Sequence, residues 1–253
     1  MNILILGDFV GCGDVAMATS RAVLTHMGHN VLCLPTALIS NTWNLGTPAT
    51  AVTTQYIREA LKSWEEKNIR VDAVLLGYIA DEEQAQWLAC RCREWHTKGT
   101  TLFWDPIFAD DGRLYHGISE ERLGFLKQLL PNMDYVLPNL TEAQFLTGVQ
   151  EQEKAALELT KMGAGTAVVT GVNDCCVLLS CGGETRSIPY EPIPGHFSGT
   201  GDAFTALFAG TVMSGKDALQ SVQAASETLT AWIKHYLRSP SEITGLPVER
   251  LWD

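Results

Sequence analysis

The chain has 253 residues, 46% of them hydrophobic, which suffices for one full α/β core and forces no second domain. A formal net charge of −11 without any run of Lys or Arg argues against a nucleic-acid or anionic-membrane surface. Seven cysteines, an odd number at spacings that suggest no disulfide framework, point to a reducing compartment.

In chain order, the opening run Asn2–Leu6 is apolar, lacks a basic flank and stops at Gly7-Asp8. It reads as a buried strand and not as a signal peptide. A helix is predicted at Val15–Met27, a strand at Val31–Leu34, a long helix at Ala49–Lys67 and a strand at Ala73–Leu76. The helix predicted at Glu82–Lys98 carries Cys90-x-Cys92 and His96, which lack the second ligand pair of a zinc site. A strand at Thr101–Trp104, a helix at Glu120–Leu130 and a strand at Tyr135–Leu137 follow, then helices at Glu142–Thr147 and Glu153–Met162. Strands at Thr166–Val169 and Cys176–Leu179 come next, with an edge strand at Thr185–Ile188 and final helices at Ala203–Ser214 and Asp217–Tyr236. No run reaches the roughly 18 apolar residues of a membrane span, and the protein is expected in the cytoplasm. The alternation predicts one α/β domain over 1–253, with a mostly parallel central sheet and helices on both faces. In such sheets ligands bind beyond the carboxyl ends of the strands.

The punctuating residues cluster at those ends. Ser198-Gly199-Thr200-Gly201-Asp202 places two glycines and one carboxylate where a loop becomes an apolar helix. Glycines let the backbone approach a ligand closely, and the unpaired amides that head a helix attract developing negative charge. Asp202, beside such an anion hole, suits a base that takes the proton of an attacking hydroxyl, although a turn with a helix cap explains the same residues. Asp105-Pro106-Ile107-Phe108-Ala109-Asp110-Asp111-Gly112 and Pro138-Asn139-Leu140-Thr141-Glu142 follow two further strands. Their hard oxygen donors suit magnesium, which is held by one or two carboxylates together with substrate phosphates. Each also has a structural explanation, a turn in the first and a capping box around Asn139 and Glu142 in the second.

Taken together, Gly199-Thr200-Gly201-Asp202, Asn139-x-x-Glu142 and Asp105-Pro106 resemble the signatures of the ribokinase-like superfamily. Gly77-Tyr78-Ile79 and Ser40-Asn41 are similar, more narrowly, to its pyridoxal kinase branch, and the likeness runs from Asp8 to the helix after Asp202. The resemblance implies ATP- and Mg2+-dependent phosphorylation of the 5'-hydroxymethyl group of pyridoxal, pyridoxine or pyridoxamine. It implies that Asp202 is the base, that Gly199, Thr200 and Gly201 form the anion hole, and that Asn139, Thr170 and Phe197 lie at the nucleotide. Asp105, Asp110 and Glu142 would attend the metal, and Tyr78 would stack on the pyridine ring, with Asp8, Ser40 and Tyr115 nearby. A homodimer is implied, and a monovalent-cation requirement is left open.

The sequence also departs from the family pattern. Asp8 stands where many members carry serine, Trp43 stands where threonine is expected on the substrate loop, and Ala109 replaces a glycine of the Asp-Pro loop. These positions bear on which substrate is used, leaving a hydroxymethylpyrimidine or another small alcohol as the alternative acceptor. A non-catalytic B6-binding protein is a further reading, which the intact Asp202 disfavours. A dinucleotide oxidoreductase is disfavoured too, because Gly7 to Gly13 has the wrong glycine spacing. His26, His29, His116, His196 and His235 are given no catalytic role.

Overall fold

Apolar runs bounded by Gly, Pro and Asp form the strands of this protein, and longer amphipathic runs form its helices. The computed structural model describes residues 1–115, 118–172, 175–238 and 245–252, so His116 lies outside the described residues. The chain runs β1 (Asn2–Val10), α1 (Ala16–His26), β2 (Asn30–Ile39), β3 (Thr50–Val52), α2 (Thr54–Glu66) and β4 (Ala73–Leu76). It continues through α3 (Glu82–Thr97), β5 (Thr101–Trp104), β6 (Ala109–Asp110), β7 (Arg113–Leu114), α4 (Glu120–Lys127), β8 (Tyr135–Val136), α5 (Leu140–Thr147) and α6 (Gln152–Lys161). The last elements are β9 (Thr166–Val172), β10 (Cys176–Cys181), β11 (Glu184–Pro189), α7 (Thr200–Met213) and α8 (Ala218–Tyr236).

These elements fall into two compact units, residues 1–77 with 193–253, and residues 78–192. In the first, β1 pairs in parallel with β2 and β4, and β3 adds antiparallel to β2. Ile3, Leu4, Leu6, Leu34 and Leu76 are almost fully buried there, each contributing roughly 1.5–3 kcal/mol of transfer free energy. Helix α7 is buried from Ala203 to Gly210. It lies so close to α1 that a Cβ on Gly210 would stand 2.6 Å from the Met27 sulfur. The His29 ring nitrogen Nε2 meets the Gly210 carbonyl at 3.0 Å, so this histidine is a satisfied buried residue.

In the second unit, β5, β8 and β9 are parallel, and β10 and β11 continue from β9 as an antiparallel meander. Phe103, Trp104 and Phe108 fill its core. The α/β class, with mostly parallel strands flanked by helices, is the one expected.

The local differences have physical causes. Residues Thr50–Val52, expected to open a helix, pair with Ala37–Ile39 as β3. The β-branched residues there favour extended backbone, and Thr53 is tied to β2 by its amide on the Thr36 carbonyl and its hydroxyl on the Pro35 carbonyl. Strand β1 does not stop at Asp8. A register irregularity between Gly7 and Phe9 lets it pair on to Val10 against Ile39. Likewise β9 runs past Thr170 to Val172, and α7 begins at Thr200, three residues earlier than expected, because Gly199 turns the chain with φ +83.

Candidate active site

The first constellation is built at the head of α7. Gly199 is the N-cap in left-handed conformation, where a Cβ would stand 2.8 Å from the Asp14 carbonyl oxygen, so only glycine fits. The first intrahelical bond runs from the Ala203 amide to the Gly199 carbonyl at 3.0 Å. The amides of Thr200, Gly201 and Asp202 therefore head the helix ahead of that bond, while Ala203's, expected to be free, is used inside it. Thr200 Oγ1 donates to the Phe197 carbonyl at 2.9 Å and braces the approach loop. Gly201 is exposed, with open space where a side chain would stand. The helix N-terminus thus presents a bare, positively polarised surface suited to an anion.

Asp202 sits in the first turn of α7, and its Oδ2 accepts from the Ala16 amide at 2.7 Å. Burial raises its carboxyl from 3.8 to about 6, and the Ala16 bond acts in the opposite direction. Asp8 lies at the β1 irregularity, a place where strands re-aim side chains. Its carboxyl is raised to about 7, first by burial and then by the negative charge of Asp202. The influence falls on Asp8 because Asp202 ionises at lower pH, so Asp8 titrates in an established field. Asp8 does not cap α1, whose N-cap is Val15.

In the same unit, Ser40 is committed within its loop, donating to Asn41 Oδ1 at 2.7 Å and accepting from the Ala49 amide at 2.9 Å. Phe197 meets Tyr236 edge-on at 6.4 Å. Trp43 is exposed in a short 3-10 turn, Trp43–Leu45.

The second constellation joins the Asp105-Pro106 loop to α5. After β5 the chain forms the β6–β7 hairpin, which was not expected from the sequence, with Asp111 and Gly112 in left-handed conformation at its tip. Glu142, only 3% exposed, accepts from the Phe108 amide at 3.0 Å and the Ala109 amide at 3.4 Å through Oε1, and from the Asn139 amide at 2.9 Å through Oε2. Asn139 Oδ1 accepts from the Glu142 amide at 2.8 Å and Asn139 Nδ2 donates to the Ala109 carbonyl at 2.8 Å. The capping box is therefore present, and it also clamps the hairpin. Burial, then the Asp105 charge, pushes the Glu142 carboxyl well above its usual range, and its three amide bonds only partly offset this.

Asp110 is held at the hairpin, accepting from the Asp111 amide at 2.9 Å. Thr170 bridges Asn139 in parallel, its amide on the Pro138 carbonyl at 3.0 Å, so two residues assigned to the nucleotide are neighbours. Tyr115 is exposed, and its amide bonds the Phe108 carbonyl at 2.8 Å. Among the described residues no three acidic, His or Cys side chains form a metal cluster. The oxygen-only pair Asp105 and Glu142 nonetheless fits Mg2+, which keeps its waters and takes its other ligands from phosphates.

Beside Tyr78 the structure holds a residue that the sequence did not single out. Arg122 of α4 is buried, its Nη2 donates to the Ile79 carbonyl, and its guanidinium lies 5.6 Å from the Tyr78 ring centre. Ala16 was missed for a different reason, since it acts through its backbone. A buried arginine on a short helix and an alanine at a turn carry no signal until long-range neighbours are known.

The head of α7 with the Asp202 carboxylate bonded to Ala16, and Glu142 clamped beneath the hairpin under the influence of the Asp105 charge, are thus present as local structures. The family model described as phosphomethylpyrimidine kinase matches residues 22–245. The chain belongs to that family. It is 25% identical over 256 residues to the pyridoxal kinase of Rubrobacter xylanophilus, covering 94% of this chain and 88% of that one. The crystal structure of pyridoxal kinase from Lactobacillus plantarum superposes with a TM-score of 0.89 at 26% identity, covering 99% of this chain and 94% of that one. Pyridoxal kinase from Leishmania donovani in complex with ADP and pyridoxamine gives a TM-score of 0.81 at 25% identity, covering 94% and 88%.

Proposed function

We propose that this protein is an ATP-dependent kinase that phosphorylates the 5'-hydroxymethyl group of pyridoxal, pyridoxine or pyridoxamine. The observation that carries this reading is Asp202, the carboxylate raised to about 6 in the first turn of α7. A base of that strength is ionised at neutral pH and still basic enough to accept a proton from an alcohol as it attacks. The amides of Gly199, Thr200 and Gly201 hold the transferring phosphoryl group, and Asp202 takes the hydroxyl proton. Asn139, Thr170 and Phe197 serve the nucleotide. Mg2+, attended by Asp105, Asp110 and Glu142, supplies charge neutralisation at the phosphates when bound.

For the vitamer, Tyr78 provides the aromatic face, and Ser40 and Tyr115 are further substrate-binding residues in this reading. Asp8 addresses the ring. Its carboxyl near 7 can donate to a neutral ring nitrogen when protonated and accept from a protonated one when ionised.

Residues 1–253 act as one kinase domain in this reading, and the active form is a cytoplasmic homodimer. Exposed Leu38 on β2, Trp43 and Leu45 in the 3-10 turn, Val52 on β3 and Tyr56 at the start of α2 support a self-association surface. No described helix is long and apolar enough to cross a membrane.

The family description favours one second reading, a hydroxymethylpyrimidine as acceptor. Asp202 weighs against it, since kinases of that kind commonly carry cysteine there. ADP release with pyridoxal, pyridoxine, pyridoxamine and hydroxymethylpyrimidine, each with ATP and Mg2+, decides between the acceptors. Turnover with the pyrimidine alone overturns the B6 assignment, and turnover with none leaves a binding protein.

A further inference from the structure

The turn Asp14-Val15-Ala16, which leads into α1, is gripped from two sides. Ala16 holds φ +55, a conformation that a residue with a Cβ adopts only where its surroundings enforce it. On one side Gly199 approaches the Asp14 carbonyl as closely as a missing side chain allows. On the other, Gly245, with φ +110, forms a parallel bridge to Asp14, and a Cβ there would stand 2.6 Å from the Asp14 carbonyl carbon. The segment after Gly245 is firmly seated. Leu246, Val248 and Leu251 are buried, the short 3-10 turn Val248–Arg250 packs on α1, and the Trp252 ring stacks on His26 at 3.7 Å and meets Trp232 at 4.6 Å.

We propose that Gly245–Trp252 is a positioning strap for the catalytic base: it presses Asp14 toward Gly199, holds Ala16 in its left-handed turn, and so aims the Ala16 amide at the Asp202 carboxylate. The proposal rests on Asp202 being the base. Its logic is that the Ala16 amide stabilises the charged form of Asp202 against burial. Asp8 of β1 is the titrating group coupled to Asp202, and Glu249 and Arg250 of the strap act on Asp14 with opposite signs. A strap that only adds stability would lower the melting temperature when loosened and leave the protonation of Asp202 alone.

The test uses Gly245→Ala, which the tight contact opposes, and Trp252→Ala, which loosens the strap away from the turn and stands in if the first variant fails to fold. For each, kcat is measured across pH 5–9, and the Ala16 amide is followed through the same range by 1H–15N spectroscopy. The expected result is an acid limb moved to higher pH, so that kcat near pH 5 falls roughly three- to tenfold more than at pH 8. KM for ATP is unchanged, and the Ala16 amide loses its titration near pH 6. Profiles and amide shifts that superimpose on wild type in folded variants overturn the strap. An acid limb that survives in Asp202→Asn overturns the base assignment and the proposal with it, and is told apart because the wild-type Ala16 amide still titrates.

Discussion

Ala16 and Asp202 are 186 positions apart in the chain, yet the backbone amide of one donates to the carboxylate of the other at 2.7 Å. The bond joins the start of α1 to the head of α7, so two helix N-termini and one carboxylate share a small volume. Positive helix ends favour the ionised carboxylate and burial disfavours it. Burial is the larger effect, which leaves Asp202 a usable base near neutrality.

Asp202→Asn isolates proton acceptance, because the Asn oxygen can still accept from the Ala16 amide. Turnover is expected to fall roughly 100-fold or more with the fold and ATP binding retained. Near-normal kcat in a folded variant removes Asp202 from the base role.

Burial, then the Asp202 charge, pushes the Asp8 carboxyl up to about 7. The apparent vitamer affinity of the wild type should therefore change between pH 6 and 8, while that of Asp8→Ser stays level and ATP affinity is the same in both. Superimposable vitamer profiles would place Asp8 outside the substrate site.

The same carboxyls give stability an unusual pH dependence. Asp8 and Asp202 hold their protons to higher pH when folded than when unfolded, so the native state binds more protons and stability falls as pH rises from about 4 to about 7. Asp8→Asn removes the larger of these two shifts. Its melting temperature at pH 8 should exceed the wild type's by about 2–4 °C, corresponding to roughly 1 kcal/mol, and the gain should vanish near pH 4. A destabilised Asp8→Asn at pH 8 would show that the ionised carboxylate is better solvated than its surroundings suggest.

Glu142→Gln exchanges a carboxylate that accepts three amides for a side chain with one acceptor oxygen. Stability should drop for that reason alone. If Glu142 also attends Mg2+, the magnesium concentration for half-maximal rate should rise about tenfold with vitamer KM unchanged. An unaltered magnesium titration reduces Glu142 to the clamp between α5 and the hairpin.

Arg122→Met removes the cation beside Tyr78 and the donor to the Ile79 carbonyl. Vitamer KM should rise about fivefold, the equivalent of roughly 1 kcal/mol, with ATP KM unaffected. Equal changes in both constants would mean that Arg122 supports the fold in general and not the aromatic face.

The sequence by itself determined the α/β class, nearly every strand and helix, and the residue types at the loops proposed to handle phosphate. Those signals are local: alternating apolar runs, glycine next to a helix start, and a capping pair three residues apart at Asn139 and Glu142. Tertiary structure alone decided what each carboxylate experiences. Asp8 and Asp202 become a coupled pair because β1 and α7 bring together residues 194 positions apart, and no window along the chain contains both. The Arg122 side chain beside Tyr78 and the Ala16 amide were illegible for the same reason, whereas β3 and the two-residue strands of the β6–β7 hairpin are too short to show an apolar period. Arg122 and Ala16 are each fixed by a partner far along the chain, through contacts that exist only once the chain has packed.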